Sequence, residues 1–452
     1  MQPQRGAVRN PRPGAEPLPA SESRHPNERV FRFAIEHETA LLRTDGSFAD
    51  FSNTTFDELQ SVVERLPEYA ADYPPLHIDE LGIKRKRWYV EGFERFSGLG
   101  RYLGSDAKGI ETRTIVHPTI ASAVRSLRED FAALAGESRA SGFLPVPISF
   151  NPFRSAFRPR PPLNGWERQH RHASPERRTA TMHMATYGPD LNLSVAGMTD
   201  GEMIDVARRL TFLSPSIVPF SFSSPFADGG LWGGLSRRTH GRTGRRPAVL
   251  VFLRDRRRLL SSDPSLTVAA RLPAEAGRIE FKAFDTCADL DLYGSLLALL
   301  KGLVLDRRTA GRRTTPDARL HQRSSLAGFD DPEIRAGAAA ALEAAETALA
   351  EDPDRDRLAP LWAMLHARVT PAHTIIEAYR QGGPIGEVLR DVGEAAGYGS
   401  VDAPGTGIDH GCLLGPWGPG CARRSLGGPV AAGWLSSGAL RGASGARLPS
   451  QG

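Results

Sequence analysis

The sequence predicts an α+β fold, and two observations carry that expectation. Stretches alternating apolar with charged or polar residues at a period of two recur between residues 32 and 285, as strands with one apolar and one polar face do. Between and beyond them run segments with apolar residues at helical spacing. These dominate from about residue 330 and predict a helical C-terminal lobe.

Residues 1–28 hold Pro, Arg, Gly and Ser with almost no apolar content, the composition of a disordered leader. The first strand follows, with Phe33, Ile35 and His37 on one face and Ala34, Glu36 and Glu38 on the other. Glu36 and Glu38 then stand about 7 Å apart. Two such carboxylates persist where the face is wet, or where a cation sits between them. One strand alone leaves both readings open.

Residues 56–63 read as a short helix. Residues 81–96 interleave basic, aromatic and apolar residues, the pattern of a solvated hairpin or a nucleic-acid surface; the solvated hairpin is the expectation. Residues 109–116 form another strand, with Glu111 and Arg113 on one face, and the helix 120–138 follows. A short strand spans 144–150. Residues 154–178, with seven arginines and several prolines, read as a mobile basic excursion near a site or as a solvated insertion. The strand 187–196 puts Asp190, Asn192 and Ser194 on one face, and Thr199 with Glu202 forms a capping box that opens the helix 199–213.

Residues 221–239 are too rich in Gly and Ser for a packed element and too apolar for a linker, which suggests an ordered loop over a pocket. A strand-like run spans 248–253. In the strand 277–285, Arg278, Glu280 and Lys282 share one face. An apolar helix covers 290–305, and helices over 331–349, 355–368 and 371–395 make up the C-terminal lobe. The composition expects one domain over 29–396, with the lobe from about 330, and a disordered Gly/Pro-rich tail over 397–452.

The 452 residues are 40% hydrophobic and 24% charged, an ordinary globular balance with a formal charge of +5. Apart from Lys84, Lys86, Lys108, Lys282 and Lys301, every strongly basic side chain is Arg. Signs are mixed throughout, so no nucleic-acid partner is expected. Cys287, Cys412 and Cys421 form no C-x-x-C pair, so neither a zinc site nor a disulfide framework is indicated. No apolar run reaches the roughly 20 residues of a membrane span, and the N-terminus lacks the apolar core of a signal peptide. A cytoplasmic protein without a membrane partner is the expectation.

If the strands share one sheet, Glu36, Glu38, Glu111 and Glu280 line one surface with Arg113, Arg278, Lys282 and Asn192. Buried charges need counter-ions. Mg2+ matches the carboxylates, and Arg and Lys suit phosphate or carboxylate groups. If the strands do not face one another, each charged face is simply wet. Neither G-x-x-x-x-G-K-[ST] nor a G-x-G-x-x-G after a strand occurs, which excludes the Gly-rich phosphate cradles.

Four pieces, in order, resemble the glutamate–cysteine ligase family of the bacterial and plant type, carboxylate–amine ligases related in fold to glutamine synthetase. Phe33-Ala-Ile-Glu-His-Glu38 is similar to the family's opening G-[IF]-E-x-E. Gly109-Ile-Glu-Thr-Arg-Thr114 is similar to its V-E-x-x-T strand. Ser223-Ser-Pro-Phe226 with Gly229, Gly233, Ser236 and Arg238 is similar to its S-S-P-F…G…S-x-R loop. Arg278-Ile-Glu280 through Asp285 is similar to R-[IL]-E-x-R-x-x-D.

The resemblance covers about residues 29–310, with 396 as its outer bound. It implies a curved, mostly antiparallel sheet of about six strands with helices on its outer face, the glutamine synthetase-like catalytic fold. It implies ATP- and Mg2+-dependent joining of a small-molecule carboxylate to an amine through an acyl phosphate. Glu36, Glu38, Glu111 and Glu280 would hold metal. Arg238 and Arg278 would bind phosphate or a substrate carboxylate, and Ser224, Ser236, Lys282, Asn192 and Arg113 would line the nucleotide site. The first Gly of the family is Ala34 here, and the second Arg of its last strand is Lys282. Without gaps, the place of a family His falls on Asn192; His183, nine residues earlier, takes that place if there is an insertion and is otherwise structural, and the sequence leaves the two open. These departures leave the acid and the amine open, and a nucleotide-binding homologue without turnover would carry the same motifs.

Overall fold

The computed structural model describes residues 29–72, 78–79, 82–83, 86–242 and 244–400. The leader expected over 1–28, and the expected tail beyond Ser400, lie outside the described residues.

One sheet of nine strands organises the chain. They are β1 (Phe31–Arg43), β2 (Phe48–Ala49), β3 (Trp88–Phe96), β4 (Tyr102–Arg113), β5 (Phe143–Val146), β6 (Pro189–Val195), β7 (Val249–Leu253), β8 (Thr267–Ala269) and β9 (Arg278–Phe281). The hydrogen-bonded order is β8-β7-β9-β6-β1-β4-β3, with β2 and β5 also paired to β1. Every pair is antiparallel except β7 with β8. The sheet exceeds the expected six or so strands because β2 and β8 are too short to show a period.

β1 forms the centre. Its first part pairs with β6 and β4, while Ala40–Arg43 pairs with β5. A strand shared in this way bends the sheet, and the sheet curls. The apolar side chains of β1, β6 and β9, among them Phe33, Ile35, Leu191, Leu193, Ile279 and Phe281, share one buried core with the helices.

Besides the single turns Pro175–Arg178 and Ala180–His183, the α-helices of the described residues are α1 (Phe56–Arg65), α2 (Ile120–Ala140), α3 (Gly165–His172), α4 (Asp200–Ile217), α5 (Arg237–Arg242), α6 (Leu292–Leu305), α7 (Ala318–Ala327), α8 (Pro332–Ala348), α9 (Ala359–Ala367), α10 (Pro371–Arg380) and α11 (Ile385–Ala395). α2 contacts β1 and β4, α4 contacts β7, and α6 contacts β6. Thr199 and Glu202 make the expected capping box of α4. α8 packs against α6 where Gly302 leaves no room for a side chain: a Cβ there would stand 2.6–2.8 Å from Ala345.

Three expectations about elements are corrected. The single helix over 371–395 is two, α10 and α11, because Gly382 and Gly383 take positive φ and Pro384 follows. The excursion over 154–178 is ordered. Asn164 and Glu167 cap α3 as a capping box, and buried Glu167 pairs with Arg95 at 2.9 Å. The long hairpin of this region is β3 with β4, spanning residues 88–113 rather than 81–96.

Candidate active site

Residues directly opposite in an antiparallel pair share a face. The register sets Glu36 against Arg113 and Glu38 against Glu111 on β4, and Glu36 against Asp190 and Ala34 against Asn192 on β6. It then sets Glu280 against Asn192 and Arg278 against Ser194, and Tyr89 against Glu111. The polar faces expected strand by strand therefore form one surface. The apolar face of β1 carries His37, which is fully buried and reaches the hydroxyls of Tyr293 at 3.0 Å and Tyr398 at 2.7 Å.

Two trios gather on the polar surface, Glu36–Asp190–Glu280 and Glu38–Glu91–His183. In each, one ligand atom from every residue lies within 4.8 Å of the others. Both are laced with internal cations. Arg278 reaches Glu36 at 3.3 Å and Glu280 at 3.8 Å, while Lys282 pairs with Asp190 and with Glu280. Lys108 reaches Glu38 at 2.8 Å, and His183 Nε2 lies 3.4 Å from Glu91 and 3.5 Å from Glu38.

Burial pushes Asp190 up to about 6, with Lys282 opposing and Glu280 adding to the rise. Burial, and then the neighbouring Lys108, depress His183 below the usual histidine range. A neutral imidazole and clustered carboxylates are the donors a divalent cation takes. Asn192 adds an oxygen. It is 3% exposed, its Nδ2 donates to Glu36 at 3.4 Å, and its buried Oδ1 has no hydrogen-bond partner. The donor set fits Mg2+ on this face.

The structure redistributes the expected site residues. Glu36, Glu38 and Glu280 enter the trios. Glu111 lies on the same surface but belongs to neither trio. Burial, and then the charges of Glu91 and Glu36, push its carboxyl well above the usual range, and it shares a hydrogen bond with Glu91. Glu111 thus stands beside Glu91, a member of the second trio, on the strand that pairs with β1. Arg113 stacks over Tyr89, with 4.8 Å from guanidinium to ring centre.

Arg238, Ser224 and Ser236 meet around Asp285 and the segment after β9. Both hydroxyls donate to buried Asp285 at 2.8 Å. Arg238, 2% exposed, donates to the carbonyls of Lys282 at 3.1 Å, Ala283 at 3.2 Å and Phe284 at 2.7 Å. The two hydroxyls and both terminal nitrogens of Arg238 thus meet protein oxygens, while its buried Nε has no hydrogen-bond partner. The S-S-P-F…S-x-R…D pieces form a lock that positions the segment after β9, and with it Lys282.

Sequence reasoning gave Glu91, Lys108 and Asp190 no role and left His183 as an alternative to Asn192. Glu91 and Tyr89 alternate on β3, so the period placed Glu91 on a face, but the hairpin was taken as solvated. Asp190 was placed on the right face without a role. His183 ends the single-turn helix Ala180–His183 and reaches the trio through tertiary structure, which no strand period signals.

No protein-family model and no curated protein matches the sequence. Solved structures do. One is glutamate–cysteine ligase from Francisella tularensis in complex with AMP, with 13% identity, a TM-score of 0.51, and 84% of this chain and 91% of that chain covered. Another is a bifunctional glutathione synthetase from Pasteurella multocida, with 10% identity, a TM-score of 0.53, and 82% of this chain but 52% of that chain covered. The protein therefore shares the fold of these two structures. At these identities the likeness is one of fold. Among the described residues, no helix is long and apolar enough to cross a membrane.

Proposed function

We propose that the protein is an ATP- and Mg2+-dependent carboxylate–amine ligase that forms an amide bond through an acyl phosphate. The observation that carries the reading is the pair of trios on one curved sheet face, flanked by Arg278, Lys282 and Arg113. Phosphoryl transfer asks the protein chiefly to position groups and neutralise charge. The trios would hold Mg2+, which would supply charge neutralisation for the ATP phosphates. Arg278 would neutralise charge on the transferring group. A substrate carboxylate oxygen would attack the γ-phosphorus and release ADP. The amine nitrogen would then attack the acyl carbon, phosphate would leave, and the amine would lose a proton.

Glutamate and cysteine are the first acid and amine to test, because the sequence motifs resemble that family. A different pair with the same chemistry is the second reading. It is favoured by the ordered 154–183 excursion that delivers His183, and by Lys282 in place of an Arg. Screening acids against amines for Mg2+-dependent ADP release tests both. Release with one pair, together with 18O passing from the labelled carboxylate into phosphate, is expected. ATP binding with no release for any pair would favour a nucleotide-binding homologue instead.

A further inference from the structure

In a chain whose cations are almost all Arg, each trio holds a lysine. The two differ in setting. The Lys108 side chain is fully enclosed, its ammonium 2.8 Å from Glu38 and 5.3 Å from the Tyr187 ring centre. The Lys282 side chain is 15% exposed and spans Asp190 and Glu280, with 2.6 Å to Glu280 Oε1. Those are two of the three carboxylates in the Glu36–Asp190–Glu280 trio.

A divalent cation on this trio needs the same oxygens, at about 2.0–2.6 Å. An ammonium at hydrogen-bond distance occupies the space such a cation would fill. Of the two basic residues in the trio, Arg278 is the one held in place, with its guanidinium 3.8 Å from the centre of the Phe252 ring and 3.3 Å from Glu36. Lys282 carries a point charge on a flexible stem and can leave without breaking a bidentate fork. The partnerless Oδ1 of Asn192, on the residue that hydrogen-bonds Glu36, is an oxygen that Lys282 does not use.

We propose that Lys282 is the resident cation of the Glu36–Asp190–Glu280 site, displaced from Asp190 and Glu280 when a divalent cation binds and thereby freed to pair with the anionic group which that cation brings. The proposal rests on the metal-dependent reading above. It makes Lys282 a positioning residue that sets the affinity and order of metal binding.

Mn2+ alone, followed by electron paramagnetic resonance, tests it on the full chain. Lys282→Met removes one positive charge a few ångströms from the bound ion, and Mn2+ affinity is expected to rise at least about tenfold. Reductive methylation of the wild-type protein, read by mass spectrometry, needs no variant to fold. Lys282 is expected to label severalfold faster with saturating Mn2+, and enclosed Lys108 at an unchanged rate. Equal or weaker Mn2+ binding in Lys282→Met, or Lys282 labelling that Mn2+ leaves unchanged or slows, overturns the proposal and leaves the metal reading intact. Wild type and variant that both bind no Mn2+ overturn the two together.

Discussion

Glu36 faces Arg113 on β4 and Asp190 on β6, and it touches Arg278 and Asn192. Glu36→Gln keeps the shape and a hydrogen-bonding group but removes the charge. Mn2+ affinity is expected to fall by about tenfold to a hundredfold, and turnover with it, with an unchanged far-ultraviolet spectrum. Glu111 behaves differently. Its folded pKa lies well above the unfolded value, raised by burial and then by Glu91 and Glu36. Its contribution to stability is therefore complete below about pH 4.3 and is lost as pH rises toward the folded pKa. Glu111→Gln keeps a donor toward Glu91 without titrating. Its melting temperature is expected to gain on the wild type between pH 5 and pH 8, and a gap that does not change with pH would contradict the assignment. Which face Glu36, Glu38, Glu111 and Glu280 take was legible from a period of two. Which side chains each of them meets was not, because that depends on the register between strands far apart in sequence.

At the scale of elements, patterning located β1, α2, α4 and α6 closely, since each buries one apolar face or stripe. Motif spacing found Ser224, Ser236, Arg238 and Asp285 but not their roles. A residue set kept at fixed spacing serves a lock as well as a ligand, and only the 2.8 Å hydrogen bonds from Ser224 and Ser236 to Asp285 separate the two. The close approach of α6 and α8 was likewise invisible, because it depends on Gly302 meeting Ala345. Gly302→Ala is expected to cost about 1–3 kcal/mol by overpacking. Denaturant unfolding checks this, and a variant as stable as wild type would show that the helices can part.

Across the whole molecule, the C-terminal end of the described chain packs behind the polar face, against β1 and α2. The composition change at Gly397 placed Tyr398 in a tail, yet Tyr398 is buried. Its ring lies 4.5 Å from that of Phe131, and its hydroxyl meets His37. Tyr398→Ala is expected to cost about 3 kcal/mol, read as a lowered urea midpoint; an unchanged midpoint would remove this tie. Burial holds His37 down at about 3, against the pull of Glu38. An unfolded histidine titrates near 6.5, so the stability this group contributes is present above that pH and is lost as pH falls through about 3. The slope is up to about 1.4 kcal/mol per pH unit.

The central claim is that one sheet face positions metal and nucleotide for amide formation. It is tested most directly by Mg2+-dependent ADP release with a matched acid and amine, in wild type, Glu36→Gln and Glu38→Gln. Each substitution takes a carboxylate from a different trio. The account expects release that requires acid, amine and Mg2+ in the wild type and falls at least about a hundredfold in both variants. Wild-type rates in either variant, or release indifferent to the amine, would contradict it.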